Sequence, residues 1–182
     1  MNIDNKISKI KDNVFFNRTM FLFENNRYAN SVFVNEIKDK EYSDFSSCEN
    51  IKFDNVNAHI TLDDETIDGI YISSIITTHV EEESFVNKFF LVVEDSIPVG
   101  ADIIYYIVTD ENDEIKIIPN DETPLIIDGS ELPKSFRIKA RLKSNGTASP
   151  VINALAVMYF DDVVHENLGL KTPDVSNNLS YI

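Results

Sequence analysis

The 182-residue chain contains no tryptophan, one cysteine, three histidines and five glycines. With Cys48 alone, neither an internal disulfide nor a thiolate zinc cage can form within one chain, and the thiol reads as a small buried hydrophobe in a reducing compartment. No histidine stands near it in sequence to activate it as a nucleophile. The few glycines leave no phosphate-cradling loop, dinucleotide fingerprint or Gly-x-Ser-x-Gly elbow. His59, His79 and His165 stand in separate segments without metal-ligand spacing. The chain is therefore expected not to be an enzyme and to need no cofactor. Long apolar runs are missing too: none nears the ~20 residues that cross a bilayer. Polar Asn2, Asp4, Asn5 and Lys6 follow Met1 where a secretory leader would turn apolar, so a soluble chain without a cleaved leader is expected. Basic residues are scarce, 16 against 31 acidic, and the net charge of −15 repels phosphate backbones and anionic lipids. Nucleic acid and membrane surfaces are thereby disfavoured as partners.

Apolar residues are plentiful at 43%, with 23 isoleucines and 15 valines against seven alanines. β-Branched side chains fit a pleated surface better than a helix, so a mostly β protein with a sizeable core is expected. Short apolar runs recur at Ile51 to Phe53, Ala58 to Leu62, Ile70 to Ile76, Phe85 to Val93, Ile103 to Val108, Ile115 to Ile118 and Leu125 to Ile127. Turn formers separate them, among them Asp68-Gly69, Ile97-Pro98-Val99-Gly100, Asp110 to Glu114 and Asp128-Gly129. Short strands with a turn every ~8–12 residues predict an antiparallel sandwich or barrel. Residues 1–40 differ, with a net charge of +2 and aromatics between Asn-rich turns. They read as an arm or small subdomain, or alternatively as a segment whose aromatics complete the main core. The polar residues after Phe160 read as a tail. The expected boundaries are an arm at 1–46, a sandwich at 47–162 and a tail at 163–182.

Charge is unevenly distributed. Residues 41–133 carry 22 acidic and three basic side chains, whereas Lys134, Arg137, Lys139, Arg141 and Lys143 reverse the sign within ten residues. These cations alternate with Phe136, Ile138, Ala140 and Leu142, so one face enters the core and the other meets solvent or a partner. The cations either pair with acidic neighbours across the sheet or form a stripe complementary to another copy or an acidic partner. The following run, Val151 to Phe160, is apolar on both parities except at Asn153, as in a strand buried on both faces for much of its length. The clustered carboxylates read as solvated turns. Asp110, Asn112 and Glu114 have the spacing of an acidic calcium loop but lack its glycine and distal glutamate, and are the metal candidates. Tyr71 and Tyr105 are the candidates for stacking on a sugar, with one ring of Tyr105-Tyr106 expected inward and the other outward.

The stretches Ile97-Pro98-Val99-Gly100-Ala101-Asp102-Ile103-Ile104-Tyr105-Tyr106, Phe136-Arg137-Ile138-Lys139-Ala140-Arg141-Leu142 and Ser149-Pro150-Val151-Ile152-Asn153-Ala154-Leu155-Ala156-Val157 together resemble a galactose-binding-like jelly-roll domain. Glu49-Asn50-Ile51 and Gly69 to Ser74 resemble that family's opening strands, and the likeness spans about residues 47–160. Such domains are common in tail, baseplate and fibre proteins of tailed bacteriophages. The resemblance implies an all-β antiparallel sandwich of jelly-roll type. It also implies a structural virion component, made in the host cytoplasm, whose partners are other virion proteins and copies of itself. The assembly contacts expected on this reading are Phe15, Phe21 and Phe23 as anchors and Arg137, Lys139, Arg141 and Lys143 as a steering face. The alternative is a carbohydrate-binding module on a host surface glycan, although the missing tryptophan departs from that pattern.

Overall fold

The alternating run at 135–143 and the apolar run from Val151 become the centres of two separate sheets. A computed structural model describes residues 31–35, 37, 42–77, 86–121, 123–127 and 135–161, among which every strand pairs antiparallel and no helix occurs. The strands are β1 (Ser31–Asn35), β2 (Ile51–Asp54), β3 (His59–Leu62), β4 (Asp68–Ile72), β5 (Ile76–Thr77), β6 (Val86–Ser96), β7 (Asp102–Thr109), β8 (Glu114–Ile117), β9 (Leu125–Ile126), β10 (Ser135–Lys143) and β11 (Val151–Asp161). One sheet runs β2-β3-β11-β6-β9 with β1 also on β11; the other runs β4-β10-β7-β8 with β5 also on β10. Each centre has a long strand on one side, β6 or β7, and two short strands end to end on the other. The protein is a β-sandwich, as the spacing of the short runs predicts.

Alternation fills the space between the sheets. Phe136, Ile138, Ala140 and Leu142 of β10 and Ile103, Tyr105 and Ile107 of β7 face Phe89, Leu91 and Val93 of β6 and Ile152, Leu155, Val157 and Tyr159 of β11. The Phe136 ring stands edge-on to both Phe89 and Tyr159, with centroids 5.0 and 5.3 Å apart, which locks the layers at that end. Asn153, the polar exception in β11, lies at a bulge: Ile152 pairs with Asp95 and Ala154 with Glu94, so Asn153 has no opposite residue. The extra residue explains how Ile152 and Leu155, three apart, both enter the core.

Three expectations are corrected. The sandwich does not begin at residue 47: β1 pairs with β11 from Ser31↔Tyr159 to Asn35↔Leu155, and Ile37 is buried in the core. Without β1, β11 beyond Ile152 would have an open edge on that side. Residues 42–49 then run along β4, bridging Ser43 to Ser73 and Glu49 to Ile70. The run Ile70 to Ile76 is not one strand but is broken after Ile72, where the Ser73 hydroxyl accepts the Ile138 N–H at 2.9 Å in place of a strand carbonyl. Gly69 is not in a turn but inside β4, where a Cβ would lie 2.5 Å from Leu62 Cδ2 and 2.9 Å from the Asn50 carbonyl oxygen. Phe15, Phe21, Phe23 and Lys134, and the tail 163–182, lie outside the described residues.

Candidate functional site

β10 carries its cations on the outer face of the five-stranded sheet, in register with apolar neighbours on both sides. Lys139 stands between Ile72 and Tyr106, Arg141 between Ile70 and Ile104, and Arg137 beside Val108. The next residue of this parity, Lys143, lies between Asp68 and Asp102. Acidic side chains from other elements reach onto the stripe. Arg137 Nη1 donates to Asp44 Oδ2 at 2.9 Å; Lys139 Nζ and Arg141 Nη2 donate to the two oxygens of Glu114 at 2.6 and 2.7 Å. The Arg141 guanidinium also lies over the Tyr106 ring, 5.1 Å from its centroid. Hydrogen bonding from Lys139 and the charges of Lys139 and Arg141 hold the Glu114 carboxyl below its ordinary range. Asp44 is lowered chiefly by the hydroxyls of Ser46 and Ser47, with Arg137 contributing less.

Of the two readings of the cations, pairing with acidic neighbours holds for Arg137, Lys139 and Arg141. Arg137 and Lys139 spend their charge on carboxylates of the same chain, because the β7–β8 turn and the segment beside β4 bring Glu114 and Asp44 over β10. Arg141 is half exposed although paired, and Lys143 is exposed; these two remain available to a partner. Glu114 is equally unavailable to calcium. The β7–β8 turn is closed within itself, the Asn112 N–H donating to the Thr109 carbonyl with φ +68° at Asn112, while Glu114 turns onto β10. Asp110, Asn112 and Glu114 line one open groove together with Arg137 and Lys139, and Lys139 and Arg141 take up the Glu114 carboxylate. Among the described residues no group of three His, Cys, Asp or Glu side chains is placed to hold a metal ion.

Tyr71 and Tyr105 are corrected as well: they are 0% and 1% exposed. Both stand in register with Ala140, one on each side, and both point into the core. The Tyr71 hydroxyl meets Asn35 Nδ2 at 3.3 Å and Ser43 Oγ at 3.2 Å, and burial pushes its pKa up to about 12. The Tyr105 hydroxyl donates to Asp95 Oδ2 at 2.8 Å, and burial raises it further. Each phenol ties the five-stranded sheet to the six-stranded one, and neither can stack on a sugar. One ring of the Tyr105-Tyr106 pair is inward and one outward, as expected, and the outward one is Tyr106. Cys48 is half-buried; its sulfur accepts the Ile72 N–H at 3.3 Å, and burial raises the thiol, the opposite of activation.

Lys143 leads into one end of the sandwich, where the loops 63–67, 97–101 and 144–150 meet. The last of these braces the other two: the Ser144 N–H donates to the Ile67 carbonyl at 2.7 Å and Asn145 Nδ2 to the Val99 carbonyl at 2.7 Å. The Asn145 side-chain Oδ1 in turn accepts the Thr147 and Ala148 N–H groups. Braced in this way, Val99 is 96% exposed, Ile67 57% and Ile97 45%. Asp63, Asp64, Glu65 and Thr147 line an open groove of about 330 Å³ beside Ile67. A second groove, of about 360 Å³, lies on the sheet face between Ile70, Ile104, Arg141 and Lys143. Aliphatic tips, acids and the two available cations thus share one end of the molecule.

No protein-family model matches this chain, nor does any curated protein. Function has to be read from the surface itself. The loop end was not marked by the residue patterns: Ile67, Ile97 and Val99 sit inside turn sequences, where an apolar side chain has no sheet partner, and that mismatch was the available signal. Asp44 carried no signal, because nothing in its neighbourhood in sequence indicates contact with residue 137.

Proposed function

We propose that the chain is a structural virion component of a phage, or phage-like, tail or baseplate, acting through protein–protein contacts with other virion proteins and with copies of itself. The observation that carries this reading is the loop end, where hydrogen-bonded loops hold Val99, Ile67 and Ile97 in water beside Arg141 and Lys143. Fixed aliphatic side chains lose little freedom on docking, and flanking charges orient the encounter. The finer class is a galactose-binding-like jelly roll, supported by the resemblance of residues 47–160 and by the two-sheet architecture. The steering role narrows to Arg141 and Lys143. The glycan-binding alternative rested on Tyr71 and Tyr105, whose burial removes its stacking residues.

The test is recovery of the chain in sedimenting particles from producing cells. Wild-type chain is expected with the particles, and the folded variant Val99→Asp with Arg141→Ser and Lys143→Ser should be depleted about ten-fold, the scale of losing a hot-spot contact. Wild-type chain found only outside the particle fraction, or undiminished incorporation of the variant, contradicts the proposal.

A further inference from the structure

The five-stranded sheet ends at β8, which pairs with β7 alone among the described strands. Which of its backbone groups face away from β7 follows from the turn between them. The Thr109 N–H donates to the Asp113 carbonyl at 3.1 Å, which makes Thr109 and Asp113 a hydrogen-bonded pair. By antiparallel alternation Ile107↔Ile115 and Tyr105↔Ile117 are hydrogen-bonded pairs too. The N–H and C=O groups of Glu114 and Lys116 therefore point off the edge of the sheet. Both residues are exposed, as is Ile118 after them, and no described backbone group meets theirs. Other edges are closed by the chain itself. Glu49 exchanges backbone hydrogen bonds with Ile70 of β4, at 2.9 and 2.8 Å. On β6 the Asn120 N–H donates to the Leu91 carbonyl at 2.7 Å, and the Asn120 side-chain amide takes up the N–H and C=O of Val93 at 3.2 and 3.1 Å. β2, at the edge of the six-stranded sheet, is half-buried throughout. β8 is thus an accessible strand edge, a template for another strand.

We propose that two copies of the chain join edge to edge through β8, antiparallel about a two-fold axis at Ile115, with Glu114 of each copy opposite Lys116 of the other. Charge selects a second copy as the occupant, because Glu114-Ile115-Lys116 is its own complement when reversed about Ile115. Each Glu114–Lys116 pair exchanges its two outward N–H···O=C bonds and sets opposite charges side by side on the outer face. The registers one step to either side that also match outward groups place Glu114 against Glu114 or Lys116 against Lys116, like charges directly opposite. The Glu114 carboxylate is already held on the outer face by Lys139 and Arg141, whereas Lys116 has no ion pair among the described residues and is available. Half-buried Ile115 lies on the inward face, in register with the fully buried Ile107, and meets its own copy across the axis, where it continues the core. Reversal also carries the acidic turn from Asp110 to Asp113 toward Ile117 and Ile118 of the other copy, away from its own like. A contact of one short strand is at the small end of specific interfaces, so the dimer depends on concentration. The inference goes beyond the assembly reading and does not rest on it, since it concerns the free chain and a surface other than the loop end.

The test is sedimentation of the free chain from about 1 μM to about 1 mM, with hydrogen exchange read at both ends of that range. A monomer is expected at the low end and a dimer at the high end, where the Glu114 and Lys116 amides exchange at least about ten-fold more slowly. Lys116→Pro removes an N–H that the β7 ladder does not use and puts a ring on the edge, so this variant should keep its protected β10 amides and stay monomeric throughout. Lys116→Glu, which sets like charges opposite, should weaken the dimer about ten-fold. If Lys116→Pro loses β10 protection, Lys116→Glu serves in its place. A wild-type chain that is monomeric at every concentration, with β8 left to the strand of a different protein, overturns the proposal. So does a dimer undiminished by folded Lys116→Pro, which would put the contact elsewhere, or one undiminished by Lys116→Glu, which would deny the register. Particles play no part in the measurement, so its failure leaves the assembly reading standing.

Discussion

Ala140 stands in register between Tyr71 and Tyr105, so two buried rings set its size. Enlarging it to Leu is expected to destabilise the fold by about 1–3 kcal/mol through overpacking, read as a lower urea midpoint with unchanged slope. An unshifted midpoint would mean that the rings are free to move aside. The Tyr105 side of this arrangement was only half readable: one of Tyr105 and Tyr106 had to turn inward, but Ile103 and Ile107 share the parity of one and Ile104 and Val108 that of the other. The Tyr71 side was not readable at all. In β4 the more apolar parity, Ile70 and Ile72, faces outward, and Gly69 and Tyr71 face the core. Close approach at Gly69 and the hydroxyl partners Asn35 and Ser43 override apolar patterning there. At Glu114 the folded carboxyl is lowered by Lys139 and Arg141, so the folded state binds a proton less readily than the unfolded one. That stabilisation is present above the ordinary Glu value of 4.5 and is lost as pH falls through the folded one. Glu114→Gln should therefore flatten the acid limb of a plot of Tm against pH, and an identical limb would show that the contact is not formed in solution.

At the scale of elements, the strands were largely legible because alternation and turn residues survive in short runs. Their interruptions were not, since a bulge or break depends on what lies opposite. β11 makes this testable. Deleting Asn153 removes the residue without an opposite partner and leaves Leu155, Val157 and Tyr159 facing inward, so that variant is expected to fold. Deleting Ala156 shifts the rest of the strand by one and turns Val157 and Tyr159 out of the core, at about 1.5–3 kcal/mol for each large side chain expelled. Thermal melts should thus show a cooperative transition for the first deletion and a strongly lowered or absent one for the second; the reverse order would place the bulge elsewhere. The place of β1 was left open for a related reason: an Asn-rich, aromatic context fits an arm as well as a segment that completes the core, and only the open edge of β11 explains why Ser31–Asn35 belongs to the sheet.

At the scale of the whole molecule, the charge layout of the sequence is real but does not mean what its sum suggests. A net charge of −15 and a basic strand imply opposite poles, whereas folding brings Asp44 and Glu114 onto the cations and leaves Arg141 and Lys143 as the accessible remainder. One end carries a braced set of loops with exposed aliphatic tips, assembled from three sequence positions that no local pattern links. The central claim is that this end makes the assembly contact. Hydrogen exchange on the free chain and on the chain within isolated particles tests it most directly. The account predicts new protection at 63–67, 97–101 and 144–150 on incorporation; protection gained only elsewhere, with these loops exchanging as in the free chain, would contradict it.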